Sequence, residues 1–207
     1  MTRPAVTTLG PEHAERVAEV IAAAFSTSLF TAYLLRTPES TWPTDNIPAD
    51  IVGAHFKKSV TSRAEQGAEL VEAGNFAAVA VWFPPGNPIS TAGVTDPRIL
   101  EYREKFGQVK EEHLQGRDYW YLNLIGRHPE RTEPGVVRAL VDPYFKKARE
   151  QGVPLYLEAI TEHARDVYEH MGFRTIAEVP LGVGRTNSRG ELDENGEGIV
   201  LYGMMAE

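Results

Sequence analysis

The stretch YLNLIGRHPERTEPGVVRAL (Tyr121–Leu140) decides how this chain is read. It begins inside a run of aromatic and branched residues, YWYLNLI (119–125), that reads as a strand stopping at Gly126. A polar turn follows. From Pro134 the apolar positions Val137, Leu140, Val141, Tyr144 and Ala148 recur at i, i+3, i+4, i+7 and i+11, an amphipathic helix running to Gly152. Pro143 lies inside that helix and predicts a kink. Strand-to-helix joints often hold phosphates, because the first amides of a helix point outward unpaired. This joint carries Glu133, Pro134 and a single glycine, Gly135. Whether it holds an anionic cofactor is the question it sets.

Downstream, VPLYLEAI (153–160) reads as a strand. TEHARDVYEHMG (161–172) reads as a short helix with Thr161 as N-cap and Gly172 just past its end. FRTIAEV (173–179) and GIVLYGMM (198–205) are final strands around a polar, mobile loop at 184–198. Upstream, AVTTL (5–9) is a first strand. Pro11 then opens a helix with Val17, Val20, Ile21, Ala24 and Phe25 on one stripe. A short helix covers 28–35, a loop 37–48, and a longer helix 49–67, stopped by Gly67. AELVEAG (68–74) and FAAVAVWF (76–83) form a hairpin, followed by a loop at 87–97 and a charged helix at 98–116. The order β-α-α-α-β-β-α-β-α-β-α-β-β implies a mixed sheet with helices: a single α/β (α+β) domain over 1–207.

Composition narrows the function. Lys and Arg total 21 against 29 Asp and Glu, a net charge of −8, so nothing invites nucleic acid. Apolar residues make up 42%, enough for a real core in 207 residues. There is no cysteine, which excludes disulfides, thiolate metal sites and a Cys nucleophile. The six histidines show no metal spacing. The longest apolar run, Phe76–Phe83, is far short of a membrane span, and Glu12, Glu15 and Arg16 stand where a signal peptide needs an apolar core. The expectation is a cytoplasmic protein without membrane or nucleic-acid partners.

The run YLNLIGRHPE…GVVRALVDPYFKKAREQGVPLYLEAITEHARDVYEHMGF, with its Tyr four residues before GF, resembles the GNAT superfamily of acyl-CoA-dependent N-acetyltransferases. Within it, the similarity is to the small-molecule branch that includes puromycin N-acetyltransferase. AVWFPPG (80–86) also looks like that branch's Trp-Pro-Pro-Gly segment. The resemblance implies a mixed, largely antiparallel sheet, flanked by helices and splayed open between its fourth and fifth strands. An acetyl-CoA cosubstrate would enter the split, and its acetyl group would pass directly to an amine. The protein would be a monomer or a homodimer.

The same resemblance assigns roles. Leu124, Ile125, Gly126 and Arg127 end the strand where family members carry a bulge, whose unpaired backbone groups bind the pantetheine arm. The pyrophosphate turn falls on Thr132, Glu133, Pro134, Gly135, Val136 and Val137, and only Gly135 matches the family pattern. Pro134 lacks an N–H, Glu133 adds negative charge, and Val137 adds bulk. Arg127, Arg131 and Arg138 could supply positive charge from outside the turn. Ala164 stands where the family often has an Asn that helps hold CoA.

Tyr168 would be the acid that protonates the departing thiolate, or else a core tyrosine. Glu158 is one carboxylate among apolar neighbours, and strand alternation puts it on a face with Tyr156 and Ile160. It would accept the substrate amine's proton, or else form a structural pair. Tyr119, Tyr121, Asn123 and Trp82 would line an acceptor pocket, with Phe25, Phe30 and Tyr33 as its lid; plain core is the other reading of these aromatics. The expectation is an acetyl-CoA-dependent N-acetyltransferase of a small amine. Its rival is a protein of the same fold that binds a ligand or partner through a weakened cofactor cleft.

Overall fold

The computed structural model describes residues 4–90 and 92–207, so Thr91 of the expected 87–97 loop lies outside the described residues. Seven strands form one sheet: β1 (Val6–Leu9), β2 (Glu69–Ala73), β3 (Ala78–Phe83), β4 (Trp120–Arg127), β5 (Leu155–Ala159), β6 (Arg174–Leu181) and β7 (Ile199–Ala206). Their order is β1-β2-β3-β4-β5-β7-β6. Every neighbouring pair is antiparallel except β4 and β5. The parallel pair needs a crossover, and the amphipathic helix between them supplies it.

Among the described residues six α-helices cover the sheet: α1 (Ala14–Phe25), α2 (Leu29–Leu35), α3 (Ala49–Glu65), α4 (Pro97–Leu114), α5 (Val136–Gln151) and α6 (Glu162–Met171). The helix boundaries follow local chemistry. The hydroxyl of Thr161 accepts the Ala164 amide at 3.0 Å, and Gly172 ends α6 in the left-handed region at φ +107°. Asp96 caps α4 by accepting the Arg98 amide at 2.9 Å. α5 runs as one helix through Pro143.

Alternation along the strands separates two apolar layers. Ala78, Ala80 and Trp82 of β3, with Leu155, Leu157 and Ala159 of β5, pack beneath Val136, Leu140, Val141 and Tyr144 of α5. On the other face, Val79 and Val81 of β3 and Leu70 of β2 meet Val17, Ile21, Val52, Phe56 and Val60 of α1 and α3. Burying about ten such side chains outweighs by far the propensity differences within any one helix.

Two segments depart from the sequence reading. The second hairpin strand begins at Ala78, not Phe76. Gly74, Asn75 and Phe76 all take left-handed backbone (φ 70°, 54° and 60°), making the turn. The Glu72 carboxylate accepts the Phe76 amide at 2.9 Å, and the Arg16 guanidinium covers the ring at 4.6 Å. Apolarity marks Phe76 as strand; its ring is spent under Arg16 instead. The polar 184–198 loop, expected to be mobile, is folded around Thr186, which is fully buried. The Thr186 hydroxyl donates to the Glu191 carbonyl at 2.8 Å, and the backbone pairs Thr186 with Leu192. Among the described residues no single helix is long and apolar enough to cross a membrane.

Candidate active site

β4 and β5 run side by side for only three residue pairs, Trp120–Leu122 against Leu155–Leu157. Beyond them the strands part. β4 stays bonded to β3 as far as Arg127, so its other edge, from Asn123 to Arg127, has no strand beside it. The split opens into a cleft of about 2030 Å³ that reaches between α1, α3 and α4. The strand carries an irregularity at this point. Val81 faces Leu124 and Trp82 faces Leu122, which leaves Asn123 as the extra residue of a bulge. Sequence reasoning placed this feature at 124–127; it falls one residue earlier. Because of it, the Asn123 side chain and Leu124 both serve the α3 side: Asn123 meets Arg63, and Leu124 joins the α1–α3 layer.

Glu158 projects from β5 into this cleft, its side chain only 4% exposed. One carboxylate oxygen accepts a short hydrogen bond from the Tyr121 hydroxyl. The other lies 3.5 Å from the Lys110 ammonium of α4, which also sits over the rings of Tyr121 and Tyr156 at 5.0 and 5.3 Å. Asn123 donates to the Tyr121 hydroxyl at 3.2 Å, and the Tyr102 hydroxyl stands 3.3 Å from it. Burial, then the Glu158 charge, pushes the phenols of Tyr121 and Tyr156 well above the ordinary tyrosine range, and the same two causes raise Tyr102. Tyr119, less enclosed, is pushed up to about 12. All four rings stay neutral donors at working pH around one carboxylate.

Tyr168 stands on the same cleft from α6. Its ring packs edge-on against Phe173 at 5.9 Å, and burial raises its phenol above the ordinary value. A neutral hydroxyl of this kind has a proton to give. Ala164 also lines the cleft. Leu124, Ile125, Gly126, Arg127 and Val137 line the cleft as well. Gly126 has a different reason for being glycine: a Cβ there would stand 2.7 Å from the Ala24 Cβ of α1. Helix packing, not ligand approach, requires it.

Among Thr132, Glu133, Pro134, Gly135 and Val136, none lines the cleft, and the Val136 side chain is core, 1% exposed. Glu133 does not stand as an uncompensated charge. Arg131 donates to its carboxylate and to the Gly74 carbonyl at 2.8 Å, so the hydrogen-bonded guanidinium holds Glu133 below the usual carboxylate range. Arg138 faces Asp142 at 3.4 Å. Gly135 takes φ +77°, and no side chain caps the start of α5. The amides of Val136, Val137 and Arg138 are therefore the groups the turn can offer an anion.

Two expected pocket residues are elsewhere. Trp82 is fully buried on the α5 face, stacked on Tyr144 at 4.0 Å and 10° between planes. The α5 face holds the even positions of β3, and that alternation carries the indole away from the cleft. Tyr33 is 1% exposed and packs among Phe106, Leu181 and Leu201 beneath α2. Tyr119, Tyr121, Asn123, Phe25 and Phe30 do line the cleft. Sequence reasoning missed Arg63, Tyr102, Arg103 and Lys110, which reach the same space from α3 and α4. The signal was Tyr102, Phe106 and Lys110 at i, i+4 and i+8 of a helix otherwise read by its charge.

Residues 11–88 match a family model described as the YOR012W acetyl transferase domain. Over 199 residues the chain is 32% identical to the uncharacterized protein YDR391C of Saccharomyces cerevisiae, covering 93% of this chain and 83% of that one. Over 91 residues it is 46% identical to increased recombination centers protein 11 of the same yeast, spanning 44% of this chain and 58% of that relative's length. In fold it is similar to an agmatine N-acetyltransferase, with a TM-score of 0.67, 12% identity and 99% of both chains covered. That likeness concerns architecture alone. The chain belongs to the family of YDR391C, built on the GNAT-type N-acetyltransferase fold.

Proposed function

We propose that the chain is an acetyl-CoA-dependent N-acetyltransferase acting on a small-molecule amine. One observation carries the reading: the Glu158 carboxylate, nearly buried, is presented at the split between β4 and β5, where an acceptor and an extended thioester arm can meet. The residues present suit such a cosubstrate. The free edge of β4 from Asn123 to Arg127 offers backbone groups to an extended arm, the amides opening α5 have no side-chain cap and would be available to an anion, and Arg127 flanks the opening. When bound, acetyl-CoA supplies the activated acetyl group.

The chain's own residues then have separate duties. Glu158 takes the proton of the incoming ammonium, because only the free amine has a lone pair to attack with. Tyr121 and Lys110 hold the carboxylate in place. Tyr168 keeps a proton ready for the leaving sulfur, its phenol neutral because it is buried. No covalent enzyme intermediate is required, in keeping with a chain that has no cysteine.

The competing reading, a cleft that binds without transferring, draws on the turn 132–136, whose side chains stay off the cleft. Against it, the Arg131–Glu133 pair removes the charge conflict that made the turn look unfit. A calorimetric titration with acetyl-CoA separates the two. Binding at micromolar to low-millimolar cofactor is expected, and no heat at several millimolar would overturn the proposal.

A further inference from the structure

Beside Glu158 the cleft holds more positive charge than its own residues neutralise. Arg63 of α3 lines it and donates to Asn123 and to the Ser59 carbonyl at 2.9 Å; no carboxylate pairs with it among the described residues. Arg103 of α4 lines the same space, and its Nη1 is buried without a hydrogen-bond partner among the described residues. Lys110 adds a third cation and is met by Glu158. Arg63, Arg103 and Lys110 thus line one cleft with Glu158, alongside Asp96, Glu111 and Asp118, in a protein whose net charge is −8.

Surface arginines cost nothing when left in water. A buried guanidinium donor without an acceptor does cost, and two guanidiniums facing one space repel each other. Burial first disfavours the charged form of Arg63; Tyr121 and Tyr102 then favour it, and Arg103 opposes it as the smallest of the four effects. His55, also on the cleft, is held below the ordinary histidine value by burial first, then by Arg63 and Lys58. On the α3–α4 side of the cleft, Lys58, Arg63, Arg103 and Lys110 outnumber Asp96 and Glu111.

We propose that Arg63 and Arg103 form an anion subsite for the acceptor, so that the preferred substrate carries a carboxylate as well as the amine that faces Glu158. The planar guanidinium fork matches a carboxylate through two parallel hydrogen bonds, and the unused donor of Arg103 provides for one. Arg63 is anchored from behind by Asn123 and Ser59, which keeps its fork from reorganising when the anion arrives. The substrate class is then amino acids or other amino carboxylates, rather than plain polyamines, whose second cation these arginines would repel. This inference rests on the acetyltransferase reading for its reaction, and on the two arginines alone for its recognition.

The test uses ω-amino acids from glycine to 6-aminohexanoate, each paired with its terminal carboxamide. With acetyl-CoA present, the best acid is expected to exceed its amide in kcat/KM by about tenfold or more, the worth of one charged hydrogen-bond pair. Arg103→Gln, which breaks no hydrogen bond or ion pair among the described residues, should reduce that preference to about twofold. Arg63→Lys should keep part of it, and Arg63→Gln should lose it. Equal kcat/KM for acid and amide in the unaltered protein would overturn the inference. So would an Arg103→Gln effect confined to the KM for acetyl-CoA, which would assign the anion to a cofactor phosphate. If no amine is acetylated, calorimetry with the same acids and amides decides separately. Acid binding that Arg103→Gln abolishes would uphold the subsite while the transferase reading fails; equal binding of acid and amide would overturn the subsite.

Discussion

The two faces of this sheet carry the same trio of side chains in different settings. On the α5 face, Glu69 accepts the Tyr144 hydroxyl at 2.8 Å and pairs with Lys147, whose ammonium lies over Trp120 and Tyr144 at 4.8 and 4.5 Å. On the cleft face, Glu158 accepts the Tyr121 hydroxyl and pairs with Lys110, which lies over Tyr121 and Tyr156. Chemistry and connectivity match; exposure does not. The Glu69 and Lys147 side chains are 30% and 38% exposed, whereas Glu158 is 4% exposed. Glu69 sits at a wet rim, where such a pair contributes little. Glu158 is taken out of water and placed beside unpaired strand edges and a large cleft. A buried carboxylate is expensive to keep, and here it stands where the proposed transfer needs a base. The difference shows that the trio itself is not the signal; its position against the split is.

The largest separation between the faces should come from the two glutamates. Glu158→Gln is expected to slow acetyl transfer by about 10²–10⁴-fold, most severely at low pH where free amine is scarce. Glu69→Gln should leave transfer rates as they are and shift stability by less than about 1 kcal/mol. Both are read from steady-state kinetics and thermal melts of the same proteins. A Glu69→Gln loss equal to that of Glu158→Gln would erase the distinction.

The next contrast uses tyrosines. Tyr168→Phe should lower kcat by about 10²-fold while the calorimetric affinity for acetyl-CoA stays nearly constant. Tyr144→Phe removes the hydroxyl that serves Glu69 and should cost only about 1 kcal/mol in denaturant unfolding, with turnover intact. Unchanged kcat in the Tyr168 variant would take that hydroxyl out of the reaction.

Gly126 tests whether the two faces are held at one spacing. Gly126→Ala should destabilise by about 1–3 kcal/mol, because its methyl meets Ala24 of α1 at 2.7 Å. Combining it with Ala24→Gly should restore most of the loss; no recovery would mean that helix packing is not what this position serves.

A further effect is alkaline. Burial raises the phenols of Tyr102, Tyr121 and Tyr156, so the unfolded chain loses those protons first as pH rises. Their contribution is therefore complete below about pH 10, the unfolded tyrosine value, and declines above it. Chemical melts at pH 8 and pH 11 should differ in that direction, and the Tyr121→Phe protein should show less of the decline.

The architecture was legible because periodicity reports burial. Val137, Leu140, Val141 and Tyr144 lie where their 3.6-residue spacing puts them, and Glu158 shares a face with Tyr156 as alternation requires. The failures have equally physical sources. Trp82 looked like a pocket residue from its neighbours, yet strand parity sends it under α5. The bulge at Asn123 depends on the register with β3, which no local pattern encodes. The pairing of Glu133 with Arg131 was not legible either, because their mutual hydrogen bonds exist only once the turn is folded. Arg63 and Arg103 belonged to helices that read as ordinary charged surface. Only the arrangement of α3 and α4 around the split turns them inward.

The most direct test of the central claim is release of free CoA thiol from acetyl-CoA in the presence of small amines. It compares the unaltered chain with Glu158→Gln and Glu69→Gln across pH 6 to 9. The account predicts amine-dependent thiol release by the unaltered and Glu69→Gln proteins, with Glu158→Gln lower by about 10²-fold or more and furthest behind at pH 6. Amine-dependent release that is the same in all three proteins would contradict it.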